Sequence, residues 1–241
     1  MRLQSLNNYL KHLNWDSNFF NCKVGSISLG DADAIDIALE LAHRRQYKMV
    51  YVYSSECLRR KAVGQYTLED VGGLVSYEKN ISSSEESAAS NDIVRYELDA
   101  ITDEIKELVW LSGRESRFNT DPLMSSKDYK ELYSLWIEKL LKNRPETEIL
   151  VAKRGLSNIG LIGLSLGIDE CKVELLAVCM EMQGQGYGTR LLNSAEQISR
   201  TRGIYKITLK TQLTNHSARA FYKKCGYEEI SHYFLYHAHA G

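Results

Sequence analysis

Between residues 183 and 189 the chain reads Gln-Gly-Gln-Gly-Tyr-Gly-Thr, and this run constrains the fold more than any other. It follows an apolar segment at 172–178, which reads as a strand, and opens a segment at 188–202. There Leu191, Ala195 and Ile198 fall on one helical face. Strand, glycine turn and helix start therefore come in succession. A helix start leaves backbone N–H groups unpaired and carries partial positive charge, and glycines allow positive φ and close approach of a ligand. The combination suits a phosphate group. A dinucleotide fingerprint needs a third glycine where Thr189 stands, and a P-loop needs a Gly-Lys-Ser/Thr ending that is absent. A plain turn between strand and helix remains the alternative.

The surrounding pattern is mixed. Upstream, strands are expected at 24–29, 49–53 and 71–77, with a helix through Ala34, Ile37, Ala38 and Leu41. The Ser- and acid-rich stretch 81–91 reads as an exposed linker. Downstream come one helix through Ile105, Leu108 and Val109, capped by Thr102 or Asp103, and a longer one through Tyr129, Leu132, Tyr133, Trp136 and Leu140 that ends before Pro145. Strands follow at 149–152, 160–166 and 172–178. After the glycine helix the chain gives a strand at 205–211, a helix at 215–225 closed by Gly226, and a last strand at 233–237. The fold class expected is α/β with a mixed central sheet flanked by helices: a small N-terminal α/β domain at 1–92 and a larger domain at 93–241. The mixed order argues against a purely parallel doubly wound sheet.

Composition narrows the partners. The chain has 241 residues, with 30 Lys plus Arg against 31 Asp plus Glu, for a net charge of −1. No global field favours nucleic acid or an anionic membrane, so a polyanion must be held locally. Residues 1–14 lack the pattern of a signal peptide, and no run of about 18 apolar residues occurs. Five cysteines without a Cys-x-x-Cys pair read as free thiols in a reducing cytoplasm. His237-Ala238-His239 reads as a frayed tail, and no metal is expected.

A second motif follows the glycine helix. Asn215, Ala218, Tyr222, Gly226 and Tyr227 form the pattern N-x-x-A-x-x-x-Y-x-x-x-G-[FY]. On residue type alone Asn215 is a helix cap and Tyr222 a packed aromatic at the edge of a stripe made by Ala218, Phe221 and Cys225. Taken with Gln183-x-x-Gly186-x-Gly188, however, the segment resembles the GNAT superfamily of acyl-CoA-dependent N-acyltransferases. A narrower resemblance begins at Trp15-x-x-x-Phe19-Phe20 and continues through Ser116-Arg117-Phe118, Asp121 and Tyr133-x-x-Trp136-Ile137-Glu138. These are similar to the TDP-fucosamine acetyltransferase family.

The resemblance implies the GNAT fold, acetyl-CoA as cosubstrate, and transfer of its acetyl group to a nucleotide-linked amino sugar, dTDP-4-amino-4,6-dideoxy-D-galactose, in cell-surface polysaccharide synthesis. It assigns Leu176, Ala177 and Val178 to the strand that pairs with pantetheine. Gln183, Gly184, Gln185, Gly186, Tyr187, Gly188 and Thr189, with Asn215, fall to the rest of the cofactor. Tyr222 becomes the proton donor to the leaving thiolate, and Asp70 the acceptor of the amine's proton, with Glu69 and Glu174 as alternatives. Arg117 and Phe118 become contacts to the sugar nucleotide. The acceptor site is expected between the two units. The partners expected are the small-molecule substrate and, left open, a second copy in a homodimer, with neither nucleic acid nor membrane insertion. Acetylation of another amine (a polyamine, an aminoglycoside, a protein N-terminus) and a non-catalytic acyl-CoA-binding module remain the alternatives.

Overall fold

The structure, a computed structural model, describes residues 10–30, 32–83 and 90–241. Residues 84–89 of the expected linker, and the first nine of the stretch 1–14, lie outside the described residues. In chain order the elements are β1 (Leu10–His12), α1 (Asn14–Phe19), β2 (Val24–Leu29), α2 (Ile35–Arg44), β3 (Met49–Ser54), β4 (Ala62–Val63), β5 (Tyr66–Asn80) and β6 (Ile93–Arg95). They continue with α3 (Asp103–Ser112), α4 (Arg117–Thr120), α5 (Ser126–Lys142), β7 (Thr147–Arg154), β8 (Ser157–Leu166) and β9 (Cys171–Val178). The last four are α6 (Tyr187–Thr201), β10 (Lys206–Gln212), α7 (His216–Lys224) and β11 (Glu228–Ala240).

All strands join one sheet in the order β1-β2-β3-β11-β5-β10-β9-β8-β7-β6, with β4 paired to β5. Two pairs are parallel, β2 with β3 and β9 with β10; the rest are antiparallel. The boundary expected at residue 92 falls within this sheet. Strand β5, from the N-terminal stretch, lies between β10 and β11; it pairs with β11 from Tyr66 to Glu78 and with β10 from Leu74 to Asn80. Without it, residues 93–241 would leave two strands with unpaired backbone edges, a costly arrangement inside a sheet.

Both faces of the sheet are covered, and strand alternation explains how. On β7, Ile149 and Val151 pack under α3 and α5 with Ile105, Leu108, Tyr133 and Ile137. Leu150 and Ala152 point the other way, under α6 with Leu191, Leu192 and Ala195. Removing one such side chain, as in Leu191→Ala, leaves a cavity costing about 2–5 kcal/mol. Helix α5 starts at a capping box, in which the Ser125 hydroxyl accepts from the Asp128 N–H while the Asp128 carboxylate accepts from the Ser125 N–H. Its inward stripe is Tyr129, Leu132, Tyr133, Ile137, Leu140 and Leu141. Trp136, expected on that stripe, instead stands half-buried at its edge.

The last strand is longer than the 233–237 expected. It runs Glu228–Ala240 because β3 and β5 flank it and pair with it on both sides. His237 and His239 are therefore not in a frayed tail. Two residues apart on one strand, they share a face, and His237 is wholly buried. Its Nδ1 lies 2.6 Å, and His239 Nε2 lies 2.8 Å, from Oδ2 of buried Asp121. The pair fastens the loop after α4 to the sheet.

Candidate active site

The parallel pair β9–β10 is short. It is registered only at Ile207 with Cys171, Thr208 with Lys172 and Leu209 with Val173. Beyond Val173 the two strands part, β9 to Val178 and β10 to Gln212. On its other side β9 stays paired with β8, after a one-residue bulge at Glu174. The Cys179 N–H donates to the Ile159 carbonyl at 2.8 Å, which sets the alternation of that ladder. Leu161–Ala177 is then a hydrogen-bonded pair, while Leu176 and Val178 turn their backbone groups away from β8, into the split. Among the described residues the Leu176 N–H and carbonyl and the Val178 N–H have no backbone partner there, and they can pair with an extended ligand. The side chain of Gln183 folds back to the strand's end and donates to the Val178 carbonyl at 3.0 Å.

At that end of the split lies the glycine turn. Gly184 and Gly186 have φ of +76° and +83°, a conformation other residues rarely adopt. Gly186 serves as the N-cap of α6 without a side-chain cap. Among the described residues no backbone carbonyl accepts from the N–H groups of residues 184–189. Six consecutive amides at a helix start are thus unspent, which is the arrangement a diphosphate requires. Arg190 sits beside them, its guanidinium 4.1 Å above the Tyr187 ring and 3.1 Å from Asp92. Gly188 matters for packing instead. A Cβ there would lie 3.0 Å from the Phe221 ring, so its absence lets α6 and α7 close together.

The split opens into a cleft of about 300 Å³ that brings Leu176, Asn215 and Tyr222 together with Arg117 and Phe118. Asn215 caps α7, its Oδ1 accepting from the Ala218 N–H at 3.1 Å. The other end of α7 is a Schellman turn: Tyr227 N–H donates to the Tyr222 carbonyl and Gly226 N–H to that of Lys223, each at 3.0 Å. Both ends of the helix being fixed, Tyr222 is fixed too. It is the buried residue of α7, not the edge of a stripe, because its ring lies on the sheet 5.9 Å from that of Tyr77. Its hydroxyl makes no hydrogen bond with the described residues. Burial raises its pKa above the ordinary value for tyrosine, so it stays protonated.

Arg117 enters from α4. Its guanidinium lies 4.0 Å from the ring centre of Tyr51 and 4.4 Å from that of Phe118, and it donates to the Tyr53 hydroxyl at 3.3 Å. No carboxylate of the described residues pairs with it. A charged group so held offers its remaining N–H donors to a ligand. Sequence reasoning had not found Tyr51 and Tyr53; their alternation on β3 was the available signal.

Of the three candidate bases, Glu174 and Asp70 differ in place. Glu174, at the bulge of β9, lines the cleft. Its Oε1 accepts from the Ser165 hydroxyl and lies 3.0 Å from Lys172 Nζ. Asp70 is exposed on β5, at a bulge where Gly72 has φ of +91°, and its carboxylate accepts from the Gly72 N–H at 2.9 Å. It does not line the cleft.

A mixed sheet in which the parallel pair β9–β10 parts beside a glycine turn at a helix start is the architecture of the GNAT acyltransferase fold. The chain belongs to the Acetyltransferase (GNAT) family, whose model matches residues 106–227, just over half its length. It is 32% identical over 141 residues to the spore coat polysaccharide biosynthesis protein SpsD of Bacillus subtilis, covering 58% of this chain and 48% of that one. It is 28% identical over 88 residues to a putative [ribosomal protein bS18]-alanine N-acetyltransferase of the same organism, covering 36% and 58%. The chain thus spans about half the length of the curated relatives it matches. Among solved structures, a tandem GNAT protein from the clavulanic acid biosynthesis pathway superposes with a TM-score of 0.55 at 13% identity, over 90% of this chain and 75% of that one. A conserved protein from Staphylococcus epidermidis gives 0.56 at 13% identity, over 91% and 84%. At that identity they speak for the fold alone, and for both halves of it. No described helix is long and apolar enough to cross a membrane.

Proposed function

We propose that this protein transfers the acetyl group of acetyl-CoA to the amine of a nucleotide-linked amino sugar, dTDP-4-amino-4,6-dideoxy-D-galactose being the acceptor that the resemblance to the TDP-fucosamine acetyltransferase family implies. The observation that carries the transfer is the split beyond Val173 and Leu209, where the Leu176 backbone groups and the Val178 N–H lead to six amides at the glycine turn that no backbone carbonyl of the described residues engages. Pantetheine pairs along β9, the diphosphate rests on residues 184–189, and the thioester carbonyl takes an N–H from β9 as its oxygen gains charge. The amine attacks the thioester carbon and loses a proton; the sulfur leaves and gains one. Tyr222, buried and protonated in the cleft, supplies the second proton. Of the two carboxylates, Glu174 lies where an amine's proton could reach it, directly or through water. Asp70 stays outside this scheme.

Support for the sugar comes from the polysaccharide relative and from Arg117, a cation beside the cleft that no carboxylate of the described residues pairs with. A second reading, acetylation of a protein N-terminal alanine, is favoured by the name of the ribosomal-protein relative. Thiol release measured with acetyl-CoA and a panel of acceptors separates them. Turnover on the dTDP-amino sugar but not on an alanine-led peptide is expected; the reverse would overturn the sugar, and no release with any amine would overturn the transfer.

A further inference from the structure

Beside the cleft, and sharing Phe118 and Trp136 with it, runs a second depression of about 440 Å³ between α1 and α5. Nothing in the proposed chemistry uses it. We propose that it is the subsite for the nucleoside of the acceptor, with the base stacked on Trp15; this rests on the nucleotide-linked amino-sugar reading above.

Three observations point there. Trp15 is 49% exposed, a large aromatic surface left in water. It is nonetheless held in place: its indole stacks on Phe19 at 5.4 Å and 8°, so one face is covered and the other is left for a flat ring. The groove is apolar at Leu135 and Trp136 and cationic at Lys139 and Lys142. Lys142 lies 3.7 Å from Glu138, whereas Lys139 makes no ion pair among the described residues. A nucleoside diphosphate joins an aromatic plate to two negative charges, and the groove presents the complement of each. Continuity orders the ligand. The amine lies in the cleft, the diphosphate passes Arg117 and Phe118, and the base reaches Trp15. A second copy of this chain docking here would need no cation, and no connection to the cleft.

The test is a KM comparison using Trp15→Ala, Trp15→Phe and Lys139→Glu in the full chain. With the dTDP-amino sugar, Trp15→Ala is expected to raise KM about tenfold. Trp15→Phe should recover part of the loss, and Lys139→Glu should raise KM severalfold. KM for acetyl-CoA and kcat should stay unchanged. The methyl glycoside of the same amino sugar, which lacks the nucleotide, should react poorly and equally with all four proteins. If the variants leave KM for the dTDP sugar unchanged, or the wild type uses the glycoside as well as the nucleotide, the subsite is overturned while the amino-sugar reading stands. If the wild type acetylates neither, that reading fails, and dTDP itself decides the groove. Quenching of tryptophan fluorescence that Trp15→Ala abolishes supports it, and no quenching overturns it.

Discussion

Gly188 and Phe221 meet so closely that a side chain on the glycine would be crowded: a Cβ would lie 3.0 Å from the ring's Cζ and 3.4 Å from its Cε2. This contact sets the spacing of α6 and α7, and with it the angle at which the amides of 184–189 face the split. Gly188→Ala must turn the half-buried Phe221 ring or push α6 away, at a cost of about 1–2 kcal/mol. The expected outcome is a lower Tm and a severalfold higher KM for acetyl-CoA. Gly30→Ala, where a Cβ meets nothing within 4 Å, is the control and should change neither.

Tyr222 is pinned by its ring contacts with Tyr77, Phe221 and Tyr227. Tyr222→Phe keeps those contacts and removes only a hydroxyl that makes no hydrogen bond with the described residues, so stability should hardly move. If that hydroxyl protonates the leaving sulfur, kcat falls about 10²-fold or more while KM for acetyl-CoA stays within about twofold. Steady-state kinetics alongside a thermal melt read both.

The parts of this site that were legible in the sequence are those written in local chemistry. Gly184 and Gly186 announced positive φ, Asn215 a cap and Gly226 a C-terminal turn, and each is determined by neighbours within a few residues. What was not legible depends on pairing across the chain. Strand β5 sits between β10 and β11, so the C-terminal elements close on a strand placed more than a hundred residues earlier, and no periodicity records that. The same topology turned His237-Ala238-His239 from an apparent tail into a buried strand. Spacing of two was a signal for a shared face, but only the fold brings Asp121 beneath it. Likewise the choice between Asp70 and Glu174 was open because motif alignment cannot tell which carboxylate lines a cleft.

That choice is testable. Glu174 lines the cleft and is bonded to Ser165 and Lys172; Asp70 is turned onto its own backbone at Gly72. Glu174→Gln keeps the shape and the hydrogen-bond acceptor but removes the proton acceptor. It is expected to lower kcat about 10²-fold near neutral pH, with part of the loss recovered as pH rises and the amine deprotonates unaided. Asp70→Asn should leave kcat within about twofold. The pH–rate profiles of both variants decide it; an inactive Asp70→Asn with an active Glu174→Gln would reverse the assignment.

The buried His237 makes stability depend on pH. Burial is the main cause that pushes its pKa down from 6.5 to about 4, outweighing the hydrogen bond to Asp121 that acts the other way. For Asp121, burial acts to raise the carboxyl, but bonds from His237 and His239 outweigh it and the net shift is downward. A neutral imidazole thus donates Nδ1–H to an anionic carboxylate, and its buried Nε2 has no partner among the described residues. Between pH 6.5 and about 4 the unfolded chain binds a proton at this histidine that the folded chain does not, so stability rises with pH across that window. The term is fully present above pH 6.5, declines as pH falls toward 4, and is worth about 3 kcal/mol at most by the usual conversion. His237→Gln, which retains a donor toward Asp121 but cannot titrate, should flatten the dependence. Urea unfolding at a series of pH values between 4 and 7 measures it. Equal slopes for wild type and variant would mean that His237 is not the group responsible.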